Sequence, residues 1–217
     1  MCERRQRDCL QAKEEFTNSV DCEDSGELKE YVGCKVHYDR EQRTVTITQP
    51  VLMQSLKDEF ELPTATYECP AAPGTTLQST ITAEEVDNDD EQREYRKAVG
   101  KLLHIMRWSR PDILNAVREV SRFLGRANEA HVKACKRILK YCVDTSERGL
   151  RLQPTGHWDG RDRNYEFKIG GKCDSEYAKN EENRRSVGGH VVYLNDAPVV
   201  LSCKAQRTVS LSVTEAE

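Results

Sequence analysis

The sequence predicts an α+β chain, and three observations carry that prediction. Two alternating runs flank a polar turn near residue 40, three apolar helical stripes lie between residues 95 and 142, and four short strand-like runs follow residue 149. With 217 residues, 37% hydrophobic and 32% charged, the composition suits one or two domains with modest cores fringed by charge. No apolar run nears the roughly 18 residues of a membrane helix. The opening seven residues carry no hydrophobic segment that would serve as a signal peptide. The chain is therefore expected to be soluble and intracellular, in the cytoplasm or nucleus. Nine cysteines with no C-x-x-C pair suit neither a zinc site nor a disulfide framework, so they are expected to be reduced core fillers.

Taken in order, Cys9, Ala12 and Phe16 recur at helical spacing and predict a weak amphipathic helix from Arg4 to Asn18. Val32, Cys34, Val36 and Tyr38 alternate, as do Val45 and Ile47 among threonines, and the polar run from Asp39 to Arg43 between them predicts a β-hairpin. Pro50 suits the first turn of a helix whose buried stripe is Leu52, Leu56 and Phe60. Residues 63–91 hold Pro63, Pro70 and Pro73, many threonines and an acidic end from Asp87 to Glu91, and are expected to be a linker.

Three helices are then predicted. Tyr95, Val99, Leu102, Leu103 and Met106 line the first. Pro111 and Asp112 break it and start the second, because proline fits only an opening turn and an acid there meets the positive dipole end. Ile113, Ala116, Val117, Val120 and Leu124 carry that helix to Gly125. Asn128 caps the third, lined by His131, Cys135, Ile138, Leu139 and Cys142; His131 is expected in the core or the cap. Strands are predicted at 149–153, 165–174, 187–194 and 198–204, with Thr214 capping a last helix in which the sequence stops. Natural domains rarely stop one turn into a helix, so a slice of a longer reading frame is expected.

Charge divides the chain more sharply than its total of −4 suggests. Residues 1–91 carry −12, residues 92–140 carry +9 and residues 141–217 carry −1. A basic stretch inside an acidic chain points to a polyanionic partner.

Six blocks add a resemblance: Glu27 to Gly33, Tyr95 to Leu102, Ser109 to Ile113, Arg137 to Tyr141, Asp174 to Ala178 and Thr214 to Glu217. Their order resembles that in the Pol polyprotein of copia-type LTR retrotransposons. The resemblance implies that residues 1–62 are the end of a reverse transcriptase palm with a hairpin similar to the primer grip. Residues 92–145 are then similar to a thumb, and residues 149–217 to the start of a ribonuclease H domain, the N-terminal half of its mixed sheet. It also implies an RNA/DNA hybrid or primer-template duplex as partner, together with the remainder of the Pol polyprotein.

Polymerase chemistry needs paired aspartates that hold two Mg²⁺. The family carries them in a Tyr-x-Asp-Asp turn upstream of the Glu27 to Gly33 block, and Asp89-Asp90, downstream and without the tyrosine, is not expected to be catalytic. Ribonuclease H uses the same two-metal logic with four acids. By resemblance the first is Asp174 and the second Glu217, rather than Glu215; the third and fourth would follow position 217, so the chain alone is expected to be inactive and its Mg²⁺ site incomplete. Tyr177, Glu176 and Ala205 depart from the family's usual residues, which suggests a divergent copy. Expected phosphate contacts on the thumb are Arg96, Lys97, Lys101, Arg107, Arg110, Arg118, Arg122, Lys133, Lys136, Arg137 and Lys140, with Arg110 pairing instead with Asp112 as an alternative. A reading from a different class makes the basic bundle a non-enzymatic module that docks on an acidic protein partner, or on the chain's own acidic segment.

Overall fold

The computed structural model describes residues 2–74, 77, 78, 89–156, 158, 162–178 and 183–217. The chain is a mixed α+β structure with two antiparallel sheets. The first helix, α1 (Cys2–Ser19), forms where the helical spacing predicts it. Among its described side chains the large apolar ones stay open to solvent: Phe16 is 61% exposed and Leu10 54%, and Val20 just after the helix is open as well. Three apolar residues over five turns are too few to anchor a helix to the core.

The hairpin strands β2 (Cys34–Asp39) and β3 (Thr44–Thr48) pair as the alternation predicts, with Val36 opposite Ile47 and Tyr38 opposite Val45. A two-residue β1 (Glu30–Tyr31) joins the free side of β2, and Val32 and Gly33 turn between them at positive φ. Helix α2 (Pro50–Glu59) follows with proline in its first turn and sends Met53 and Leu56 inward, with Phe60 buried just beyond it. The expected linker is described as far as Gly74 and at 77 and 78; Asp87 and the rest of 79–88 lie outside the described residues.

Helix α3 (Asp89–Trp108) begins earlier than the sequence pattern suggests, because Asp89, Asp90 and Glu91 form its acidic first turn, where the dipole favours negative charge. Asp89-Asp90 is thus the start of a helix and not part of the loop. A 3-10 turn over Pro111–Ile113 leads into α4 (Leu114–Ser121), which stops before the predicted Gly125. Helix α5 (Glu129–Asp144) is capped by Asn128, whose side chain accepts from the His131 backbone N–H. One apolar core joins these helices to α2: Leu56, Val99, Leu102, Ile105, Ile113 and Val117 are all fully buried within it. The α2 segment, expected to belong to a separate palm remnant, shares its core with the helical bundle.

The strand expected to open the C-terminal unit behaves otherwise. β4 (Leu150–Leu152) pairs with β3, placing Leu150 opposite Ile47 and Leu152 opposite Val45. Gly149 permits this approach, since a Cβ there would lie 2.7 Å from Thr48 Cγ2 and closer still to the Ile47 carbonyl oxygen. The second sheet holds β5 (Ile169–Glu176), β6 (Val187–Leu194) and β7 (Ala197–Ala205) in that order. Asn195 and Asp196, both at positive φ, make the tight turn between β6 and β7. β7 packs against α4 and β4, and the sheet is followed by α6 (Val213–Ala216), which packs on β5.

Cysteine burial corrects the expectation that all nine fill the core. Cys34, Cys135 and Cys142 are buried, whereas Cys9, Cys22, Cys69 and Cys173 are exposed and Cys203 is half-buried. Among the described residues no helix is long and apolar enough to cross a membrane.

Candidate carboxylate pair and basic helical face

The register of the second sheet sets Asp174 on β5 opposite Gly189 on β6, which in turn faces Cys203 on β7; Ser175, Gly188 and Lys204 form the next row. The paired glycines present no side chain over two rows of the middle strand, and a hollow of about 390 Å³ opens there. Asp174 and Glu217, distant in sequence, both line it, together with Ser175, Lys204 and Gln206. The Asp174 carboxylate accepts from the Ser175 backbone N–H at 2.9 Å and is otherwise exposed to the hollow.

Local hydrogen bonding separates the two candidate glutamates. Ser212, not the expected Thr214, caps α6: its hydroxyl accepts from the Glu215 N–H at 3.2 Å, while Glu215 Oε2 accepts from the Leu211 N–H at 2.6 Å. These two bonds occupy Glu215 in closing the start of the helix. Glu217 has no such duty. Gln206 ties the helix to the sheet, because its Nε2 donates to the Ala216 carbonyl at 2.6 Å and its Oε1 accepts from Ser210 Oγ at 2.8 Å. Gln206 and the glycine pair escape reasoning from sequence alone; the signal was Gly-Gly lying opposite Asp174 in an antiparallel register, which requires knowing the pairing.

Most of the basic side chains expected to meet phosphate already have partners. Lys97 and Lys101 both reach Glu59 at 2.5 Å, and their hydrogen bonds, Lys101 foremost, hold the Glu59 carboxyl below its ordinary value. Arg118 and Arg122 share Glu119. Lys136 approaches Glu61 at 3.6 Å and Lys140 meets Asp144 at 2.7 Å. Arg96 donates to the Leu124 carbonyl at 2.8 Å, closing the turn after α4. Arg137 lies over the Tyr67 ring at 4.2 Å and donates to the Cys69 carbonyl, strapping the linker to α5. Arg107 and Lys133 are exposed, with no ion pair among the described residues.

Arg110 is corrected from surface contact to internal strut. Its side chain is 1% exposed; Nε and Nη2 donate to the two Asp112 oxygens at 2.9 and 2.8 Å, and Nη1 and Nη2 donate to the Thr145 carbonyl and hydroxyl. Tyr141 adds a hydroxyl bond to Asp112 at 3.1 Å. Burial pulls the Asp112 carboxyl upward, but the Arg110 hydrogen bonds and charge outweigh it and hold the group below its usual value. Four of its five N–H donors are used in this way, and at 1% exposure the side chain does not reach a strand at the surface.

His131 serves in both the core and the cap. It stacks on Phe123 with ring centroids 3.8 Å apart, its Nδ1 accepts from the Asn128 N–H at 3.0 Å, and its Nε2 faces the Gln78 carbonyl at 3.1 Å. Those two contacts require the neutral tautomer with the proton on Nε2. Gln49, unremarked in the sequence, links elements: buried between α2 and α3, it donates to His104 Nδ1 and accepts from Ser109 Oγ.

Comparison with known proteins finds relatives among transposon Pol polyproteins. The chain is 28% identical over 208 residues, 94% of its length, to the retrovirus-related Pol polyprotein from transposon TNT 1-94 of Nicotiana tabacum. It is 34% identical over 124 residues, 57% of its length, to that from transposon RE1 of Arabidopsis thaliana. The chain is thus similar to the retrovirus-related Pol polyproteins of copia-type transposons. It spans 15% of the tobacco Pol polyprotein and 8% of the RE1 polyprotein. A secreted RxLR effector protein 161 of Plasmopara viticola is also 36% identical over 123 residues, 57% of this chain and 80% of that protein. No family model matches the chain. No solved structure matches it either.

Proposed function

We propose that this Pol segment engages an RNA/DNA hybrid or primer-template duplex, with the α3–α5 bundle serving as a thumb-like support and the second sheet as the opening half of a ribonuclease H-like fold. The observation that carries the reading is that Asp174 and Glu217 line one hollow floored by Gly188 and Gly189. Carboxylates on a strand and beside an adjoining short helix are the chemistry that divalent-metal phosphoryl hydrolysis requires.

The donor set fits a partial seat for Mg²⁺. Asp174 and Glu217 would hold the ion, which commonly keeps several waters and takes one or two carboxylates plus substrate phosphates. Bound there, Mg²⁺ would activate water and neutralise charge at the cleaved phosphodiester. No set of three or more histidine, cysteine or carboxylate side chains is arranged for a metal among the described residues. Two carboxylates without a strand's phosphate hold the ion weakly, so the chain by itself is read as inactive in hybrid cleavage. Gln206 keeps α6 against the sheet, and Lys204, in the row of Ser175, supplies positive charge at the rim.

Fluorescence anisotropy of a labelled hybrid with the full chain tests the reading. Binding should weaken steeply with salt, with the logarithm of affinity falling by about 0.7–0.9 per phosphate engaged for each tenfold rise. No cleavage should accompany it in Mg²⁺. Preference for an acidic polypeptide over the hybrid at physiological salt would instead support docking on a protein; the existing bridges from Lys97, Lys101 and Lys136 to the acidic segment show that carboxylates do satisfy this surface.

A further inference from the structure

Lys97 and Lys101 stand one turn apart on α3 and hold the two oxygens of a single carboxylate, Lys97 on Glu59 Oε2 and Lys101 on Oε1, each at 2.5 Å. Lys101 also donates to Ser55 Oγ at 2.9 Å. Both ammonium groups lie over the Phe60 ring, 5.7 and 5.8 Å from its centroid, which fixes their direction from below. The carboxylate comes from another element, the last residue of α2.

This differs from the other ion pairs of the bundle. Glu119 pairs with arginines on its own helix and the turn after it, Asp144 pairs one turn along its own helix, and Asp112 is locked to the buried Arg110. Only the Glu59 cluster, among the bridges on described residues, joins two lysines, a hydroxyl and an aromatic ring around one anion. Two oxygens bridged by two ammonium groups present the charge and acceptor pattern of the two non-bridging oxygens of a phosphodiester. Beside the pair opens a hollow of about 650 Å³ whose lining includes Lys35, Val51, Gly100 and His104, leaving room for a strand that approaches the lysines.

We propose that Lys97, Lys101 and Ser55 form a seat for one backbone phosphate of a nucleic acid, and that Glu59 fills this seat in the free chain as an internal stand-in. The inference rests on the reading of the bundle as a nucleic-acid support. Binding at the seat is then an exchange of anions: the phosphate enters, the Glu59 carboxylate rotates out into water, and the seat contributes one unit of positive charge fewer than its two lysines suggest. Glu59 sets how tightly, and at what salt, the bundle takes a strand.

The test uses the full chain and its Glu59→Gln and Glu59→Ala variants, titrated with a labelled RNA/DNA hybrid between about 50 and 200 mM salt, with melting curves showing that each is folded. Both variants should bind more tightly than wild type, with a salt slope steeper by about 0.7–0.9, so that their advantage grows about threefold from the upper to the lower salt. Adding Lys97→Gln and Lys101→Gln to Glu59→Gln should remove the gain. Inorganic phosphate at matched ionic strength should leave the gain in place; if it erases it, the seat takes free phosphate and the assignment to a strand is overturned. If wild type binds the hybrid and both Glu59 variants match its affinity and slope, the stand-in role is refuted while the bundle's reading survives. If none of the chains binds, the reading of the bundle falls and the seat falls with it.

Discussion

Replacing Asp112 with asparagine should destabilise the helical core by about 3 kcal/mol, because it leaves the Arg110 guanidinium buried against a neutral group. The magnitude follows from what is lost. Arg110 gives Asp112 two hydrogen bonds at 2.9 and 2.8 Å. Charge-assisted bonds contribute about 1.5–3 kcal/mol each. Asp112 itself is 38% exposed, which moderates the sum, whereas Arg110 at 1% cannot turn to water. For a chain of this size each kcal/mol moves the melting temperature by roughly 2–4 °C, so a drop of about 6–12 °C is expected. Urea denaturation at neutral pH is the assay. Replacing both partners, as Arg110→Met with Asp112→Leu, should recover most of the loss, since an apolar pair of similar volume often replaces a buried ion pair at little cost. The pH dependence gives an independent sign. Asp112 has a lowered value when folded, so its contribution is complete above the ordinary carboxylate range and fades as pH falls through that lowered value. The wild type should lose this increment on acidification and Asp112→Asn should lack it. If Asp112→Asn melts with wild type, the strut carries no stability and the reasoning from the buried ion pair is refuted.

Three further outcomes follow from the same geometry. Leu56→Ala, at a fully buried position in the shared core, should cost about 2–5 kcal/mol and should loosen α2 and the bundle together, seen as coincident loss of amide protection in both. Gly149→Ala should disrupt the β3–β4 pairing, because the added carbon has no room against Ile47 and Thr48; faster hydrogen exchange across Thr46 and Arg151 with intact exchange in β5–β7 is the check. Lowering the pH below the ordinary histidine value of 6.5 should destabilise the start of α5: burial disfavours the imidazolium of His131, outweighing the Gln78 carbonyl that favours it, with Arg122 adding to the opposition. That stability is complete above the ordinary value and shrinks as pH falls towards the lowered folded value, and His131→Gln should flatten the profile.

The helical stripes and the hairpin were legible because each is a local pattern. Tyr95, Val99 and Leu102 recur at a period the chain imposes without help from elsewhere, and Asn128 announces a cap within four residues. What escaped reading depended on partners far away in sequence. Gly149 to Leu152 reads as a strand, but only the approach to Ile47 decides which sheet receives it. The basic stretch is plain in the composition, yet its acids come from α2, from the loop after it and from turns along its own helices, so a count of charge overstates the free cations. Phe16 shows the converse: its helix was predicted correctly, while burial needed a partner that its sparse apolar face does not supply. At the carboxylate pair, the choice of Glu217 over Glu215 came from resemblance; that Glu215 accepts from the Leu211 N–H was not legible in the sequence.

The most direct test of the account is a titration of the isotope-labelled chain with Mn²⁺, a paramagnetic substitute for Mg²⁺, followed by amide NMR. Broadening should appear together at Asp174, Gly189 and Glu217, and Asp174→Asn should abolish it at all three. Broadening confined to one of these segments, or unchanged by the substitution, would contradict a shared metal-facing hollow and with it the assignment of hybrid-processing chemistry to this part of the fold.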